Sequence, residues 1–123
     1  MSTESTLVEY LENDTAVAAL IGKRIYPRRM PDETELPCVV YLRISTVPEI
    51  GLDSVHQTRA RFRFTPWAER ATEVTDVATA LKDALTLVEI PPDVDRIIPE
   101  GETDRYDNDA LLYGQDLDFL VFG

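Results

Sequence analysis

Thiols, imidazoles and lysines are scarce in this chain of 123 residues. Cys38 is its single cysteine, which excludes a disulfide within one chain and a thiolate cluster around a metal. Pro37, Val39 and Val40 around it read as strand, where a lone cysteine behaves as a small buried hydrophobe. His56 is the single histidine, too little to build a catalytic triad or a multi-histidine metal site within one subunit. The five glycines are scattered, and none forms a glycine-rich phosphate loop. No apolar run approaches the roughly 20 residues needed to span a bilayer. The opening MSTESTLVEY has neither the basic start nor the apolar stretch of a signal peptide. The expectation is a protein made and used in a cytoplasm, with no membrane partner, no metal and no cofactor.

Acid dominates what is present. There are 23 Asp+Glu against 12 Lys+Arg, a formal net charge of -11, and a pI near 4.4. That balance opposes general nucleic-acid binding, which calls for a basic surface. Arginine outnumbers lysine, a usage that suits a high-GC or salt-adapted source. A hydrophobic content of 44% is enough for one core and argues against disorder. The length fits one domain, residues 1–123.

The pattern along the chain alternates between helical and strand periods. Thr6 and Glu9 have the spacing of a capping box. Leu7, Tyr10 and Leu11, then Val17, Ala18, Leu20 and Ile21, are spaced for helix, with a break at Asn13-Asp14-Thr15 where Asp14 or Thr15 recaps and an end at Gly22. Residues 24–26 read as a short strand closed by Pro27, and residues 28–36 as a loop. Residues 37–46 (PCVVYLRIST) read as strand, with Val39, Tyr41 and Arg43 on one face and Cys38, Val40, Leu42 and Ile44 on the other. Residues 47–53, with Pro48 and Gly51, are expected to form the tip of a long hairpin. From Ala68 the apolar residues Ala71, Val74, Val77, Ala78, Leu81, Leu85 and Val88 recur every three or four positions, an amphipathic helix with Glu69 and Glu73 near its positive end, stopped by Pro91-Pro92. Residues 93–98 read as strand, residues 99–109 as an acidic loop whose last part is open to strand, and residues 111–122 as the last strand, with Asp116 and Asp118 sharing a face. The order α-β-β-β-α-β-β points to an α+β domain: a mostly antiparallel β-sheet with two main helices packed on one face.

Three features carry candidate chemistry. Residues 57–65 (QTRARFRFT) put Arg59, Arg61 and Arg63 on one strand face and Ala60, Phe62 and Phe64 on the other. In so acidic a chain this stripe requires carboxylates: Asp116 and Asp118 of the same sheet, acids of an adjacent copy, or the phosphates of a polyanion. Trp67, the only tryptophan, lies at the strand-to-helix junction, where it either packs on the sheet or anchors a partner. Glu100, Glu102, Asp104, Asp107 and Asp109 are acids whose spacing does not fit a calcium loop, and they read as a solvated stretch.

Several segments, in order, resemble one known family. They are the run from Leu11 through Asn13-Asp14, Ala16-Val17-Ala18-Ala19-Leu20-Ile21-Gly22 and Arg24-Ile25-Tyr26-Pro27, and then Leu36-Pro37-Cys38-Val39-Val40-Tyr41. Next come Arg61-Phe62-Arg63-Phe64-Thr65-Pro66-Trp67-Ala68, the helix with Ala78, Leu81 and Leu85, and Leu112-Tyr113-Gly114-Gln115-Asp116-Leu117-Asp118-Phe119. Together they resemble the tail-completion, or tail-terminator, proteins of long-tailed phages and related prophages. The resemblance spans nearly the whole chain and brings no catalytic motif with it.

The resemblance implies a non-enzymatic virion protein of the tail and neck, assembled in the host cytoplasm. Its expected form is a homo-hexameric ring that caps the tail tube, stops tube polymerisation and meets the head–tail connector. DNA would pass through the ring without specific binding. The expected subunit contacts are Arg59, Arg61, Arg63 and Trp67, with the long hairpin reaching a neighbour and extending its sheet. The loop tips, with Arg28, Arg29, Glu49, Leu52 and Asp53, are expected to touch neighbouring rings. Glu100, Glu102, Asp104 and Asp107 are expected to line an acidic lumen that repels DNA phosphates. The alternatives are another neck component, such as a head-closure protein, or a small acidic binding module for a basic partner. An enzyme would need a site between subunits, built from His56 or the acidic stretch.

Overall fold

A computed structural model describes residues 2–50 and 55–123, and among these the side chains of Glu49, Ile50 and residues 55–57 are left undescribed. Two short helices, α1 (Thr3–Glu12) and α2 (Thr15–Ile21), lead into strand β1 (Ile25–Pro27). Strands β2 (Cys38–Ile50) and β3 (Val55–Ala68) form a long antiparallel pair. Helix α3 (Ala71–Leu85) follows, and β4 (Arg96–Asp107) and β5 (Leu112–Phe122) complete the chain. The sheet runs β1-β2-β3-β5-β4, antiparallel except for β1 beside β2. The α+β reading holds.

Local chemistry sets the helix ends. Ser2 is the N-cap of α1, its hydroxyl accepting from the Ser5 amide at 3.1 Å, so the helix starts a turn before the Thr6–Glu9 box. Asp14 recaps α2 by accepting from Val17 N at 3.1 Å. Gly22 ends that helix at φ 57°, a conformation that costs glycine nothing. Helix α3 begins at Ala71 rather than Ala68, because β3 continues through Ala68; Glu73 falls in its first turn and Glu69 outside it.

One face of the sheet is closed by the helices. Leu7, Leu11, Val17, Ile21, Val77, Leu81 and Leu85 meet Val39, Phe62, Phe64, Leu117, Phe119 and Val121 in a continuous core. Each such large side chain stabilises the fold by about 1.5–3 kcal/mol when fully buried. Phe64 centres the aromatic part, 6.0 Å from Phe119 edge-on and 6.1 Å from Tyr41. Thr6 donates to Asp93 at 2.8 Å, tying α1 to the segment between α3 and β4.

The structure changes two expectations. Residues 47–50 belong to β2, paired with β3 as far as Ile50↔Val55, so the hairpin tip is shorter than residues 47–53. Residues 51–53 lie outside the described residues. The acidic stretch 99–109 is strand over most of its length and not in its last part alone: β4 runs from Arg96 to Asp107 and pairs with β5 along its length. Its side chains from Glu100 onward are all accessible to water, so it shows none of the apolar alternation that marks a half-buried strand.

Candidate functional site: the helix-free face of the sheet

The second face of the sheet has no helix on it. Alternation along β3 places Arg59, Arg61, Arg63, Thr65 and Trp67 there, while Ala60, Phe62 and Phe64 enter the core. The β3–β5 register sets Arg63 opposite Asp118, as the sequence pattern implies. Arg63 holds Asp118 with two bonds, Nε to Oδ1 at 2.8 Å and Nη2 to Oδ2 at 3.1 Å. This fork keeps the Arg63 guanidinium even more firmly protonated than usual.

Asp116 is the buried centre of the network. It accepts from Thr65 Oγ1 at 2.8 Å and from Arg105 Nε of β4, and Arg63 Nε lies 3.6 Å away. Arg61 reaches Glu100 at 3.4 Å and Asp118 at 3.9 Å. Its Nε is enclosed but donates to nothing among the described residues. Arg59 stands exposed on the same face. The stripe therefore finds carboxylates inside its own subunit, and Arg61 and Arg63 remain part-exposed around them.

Beside the charges, β2 exposes apolar side chains. Leu42, Ile44 and Val47 keep 41%, 40% and 44% of their surface in water, on a strand whose Cys38 and Val39 are fully buried. A register shift between Arg43 and Ser45 adds Ile44 to this row. Arg43 turns to the helix side, 5.3 Å over Phe62, and pairs with Glu4 of α1 at 3.3 Å.

At the lower end, Trp67 lies across Gly114. A Cβ on residue 114 would stand 2.7 Å from the indole, so only glycine leaves room for it. Arg28, Arg63, Arg105 and Trp67 line a groove of about 200 Å³ there, with Leu42 and Asp116 at its floor. Cys38, opposite Trp67 in the register, is fully buried, and burial pushes its thiol up to about 11.

The structure thus gathers Arg28, Arg61, Arg63 and Trp67 on one surface and divides the acids. Glu100 faces the arginines, whereas Glu102 pairs with Lys82 of α3 at 3.0 Å and Asp104 accepts from Gln115 at 3.2 Å on the helix side. Asp107 caps the β4–β5 turn through the Asp109 and Ala110 amides. Arg29 is exposed in the loop after β1; Glu49 lies at the end of β2, and Leu52 and Asp53 lie outside the described residues. Sequence reasoning missed Arg105, which completes the Asp116 cluster. It also missed the exposed apolar row on β2. Residues 99–107 show no apolar period, so nothing in the pattern marked Arg105.

Among the described residues no three of His, Cys, Asp and Glu gather as a metal site, and no helix is long and apolar enough to cross a membrane. A sheet closed on one side and open on the other, with exposed apolar and ionic groups intermixed, is the surface of a subunit that meets other proteins. The particular family is explicit: the model of the tail completion protein gp17 family matches residues 5–122, and the chain belongs to that family. It is a virion protein of the phage tail, acting in tail assembly. The fold is also that of a chain in a solved structure titled "Virion of native gene transfer agent (GTA) particle", with a TM-score of 0.85 and 16% identity. That match covers 98% of this chain and 93% of the other. No curated protein sequence matches the chain.

Proposed function

We propose that the protein is a tail terminator: a non-enzymatic subunit of a homo-hexameric ring that caps the tail tube, stops its growth and joins it to the head–tail connector. The observation that carries this reading is the family match across nearly the whole chain. The helix-free face supports it, because exposed Leu42, Ile44 and Val47 beside an arginine–carboxylate lattice form a surface that gains from being covered.

In this reading Arg59, Arg61, Arg63 and Trp67 contribute to subunit contacts. Arg28, Arg29 and the hairpin end, with Glu49, Leu52 and Asp53, touch the tube ring or the connector. Acids along β4, namely Glu100, Glu102, Asp104 and Asp107, add to a net charge of -11 per subunit and keep passing DNA from adhering. Light scattering and negative-stain microscopy, on the protein alone and mixed with purified tail tubes, test the proposal. A six-fold ring, free or on tube ends, is the expected result. A protein that stays monomeric and ignores tubes at low and high salt overturns it.

A further inference from the structure

Both long edges of the sheet are open. On one side β1 pairs with β2 only at residues 39–41, and the Arg28 amide covers Tyr41 O; residues 42–50 have no second neighbour among the described residues. On the other side β4 is the last strand. Its edge is covered at Ile97, whose carbonyl accepts from the Leu87 amide at 2.9 Å, and residues 99–107 are open among the described residues. Natural sheets blunt such edges, since unpaired N–H and C=O groups recruit other strands.

The two edges differ in charge. Residues 99–107 carry Glu100, Glu102, Asp104 and Asp107 against Arg105 alone. Two such edges repel, which disfavours β4 pairing with itself about a two-fold axis. Residues 42–50 (LRISTVPEI) carry Arg43, engaged with Glu4, and Glu49, for no net charge, and expose Leu42, Ile44 and Val47. The apolar, neutral β2 edge therefore takes the acidic edge without the repulsion that opposes β4 meeting itself.

Direction also agrees. Strands β2 and β5 run one way, β3 and β4 the other. A second copy placed edge to edge, the same way up, sets its β2 antiparallel to this copy's β4 and continues the alternation. We infer that the acidic β4 edge of one subunit pairs with the open β2 edge of the next, so that the ring is held by a main-chain ladder between copies of this chain. The contact is heterologous, the kind that closes into a ring rather than a dimer. The open part of β2 lies at the end of the sheet where Arg59 meets Phe122, and that of β4 reaches the opposite end, where Asp107 meets Leu112. Neighbours are therefore offset along the strands, and in a closed ring that offset becomes a tilt of the strands to the ring axis.

The inference rests on the ring reading, and one experiment separates them. Two single variants, Thr46→Cys and Asp104→Cys, are oxidised alone and mixed, with Val47→Cys and Thr103→Cys as a second pair in the same register on the other face. Cys38 is buried, its thiol held protonated, and does not compete. A disulfide dimer that forms only in the mixtures is the expected result. Dimers of either variant with itself overturn the head-to-tail arrangement. Rings in microscopy with no mixed disulfide overturn the edge pairing and leave the terminator reading standing. Neither rings nor disulfides at any protein concentration overturn both. Val47→Glu is expected to abolish assembly, with Thr103→Lys, which faces it in this register, restoring it in the double variant.

Discussion

On the helix-covered face, Phe62, Phe64, Leu117 and Phe119 are almost wholly withdrawn from water; on the other face of the same strands, Arg63 grips Asp118 with a two-bond fork and lies 3.6 Å from Asp116. Neighbouring residues on one backbone thus answer to different forces. The first set is held by water exclusion, which is non-directional and scales with area. The second is held by geometry, because each carboxylate needs its donors at bonding distance. The covered face gives the subunit a continuous core of its own. The open face has its polar groups arranged within the subunit and still leaves apolar surface in water, which suits a protein that folds first and assembles afterwards.

The largest effect is expected on the covered face. Leu81→Asp places an unpaired charge in the core and should abolish cooperative melting in circular dichroism; a folded variant would show that α3 does not close the core. Asp116→Ala removes the shared acceptor of Thr65 and Arg105 and should cost about 1–3 kcal/mol in chemical denaturation, limited because its arginine partners are part-exposed. No loss would mean that the ionic lattice adds nothing to the fold. Gly114→Ala crowds the Trp67 indole and should cost about 1 kcal/mol, at the low end for overpacking since the ring is only half-buried.

A pH series sharpens the contrast further. The Cys38 thiol is raised from 9.0 to about 11 in the folded chain, so the unfolded chain loses this proton first. Its contribution to stability is constant below pH 9 and is lost as pH rises towards 11. Cys38→Ala should flatten that slope in urea titrations; an unchanged slope would assign it to other groups. The smallest effect belongs to Val47→Ser on the open face, which should change stability by no more than about 0.5 kcal/mol while weakening assembly. A large drop in melting temperature would show that the exposed row supports the fold itself.

Much of this division was legible in the sequence. The alternation of Arg59, Arg61 and Arg63 with Ala60, Phe62 and Phe64, and of Asp116 and Asp118 with Leu117 and Phe119, fixes two strands and which faces match. The three- and four-residue spacing of Val74, Val77, Leu81 and Leu85 fixes α3. The start of β4 reads as strand, but residues 99–107 escaped because both faces lie in water and show no apolar period, and Pro99, Gly101 and the acids look like turn chemistry. The exposed Leu42, Ile44 and Val47 escaped for another reason: period two separates faces but does not say which one the helices cover.

The placement of Trp67 has an experimental consequence. The chain carries one tryptophan, seated over Gly114 at the rim of the groove on the open face and only partly shielded from water. Its emission colour therefore reports on that face alone, with no background from the core. A blue shift and resistance to quenchers as subunits dock would follow assembly in real time, in unlabelled protein.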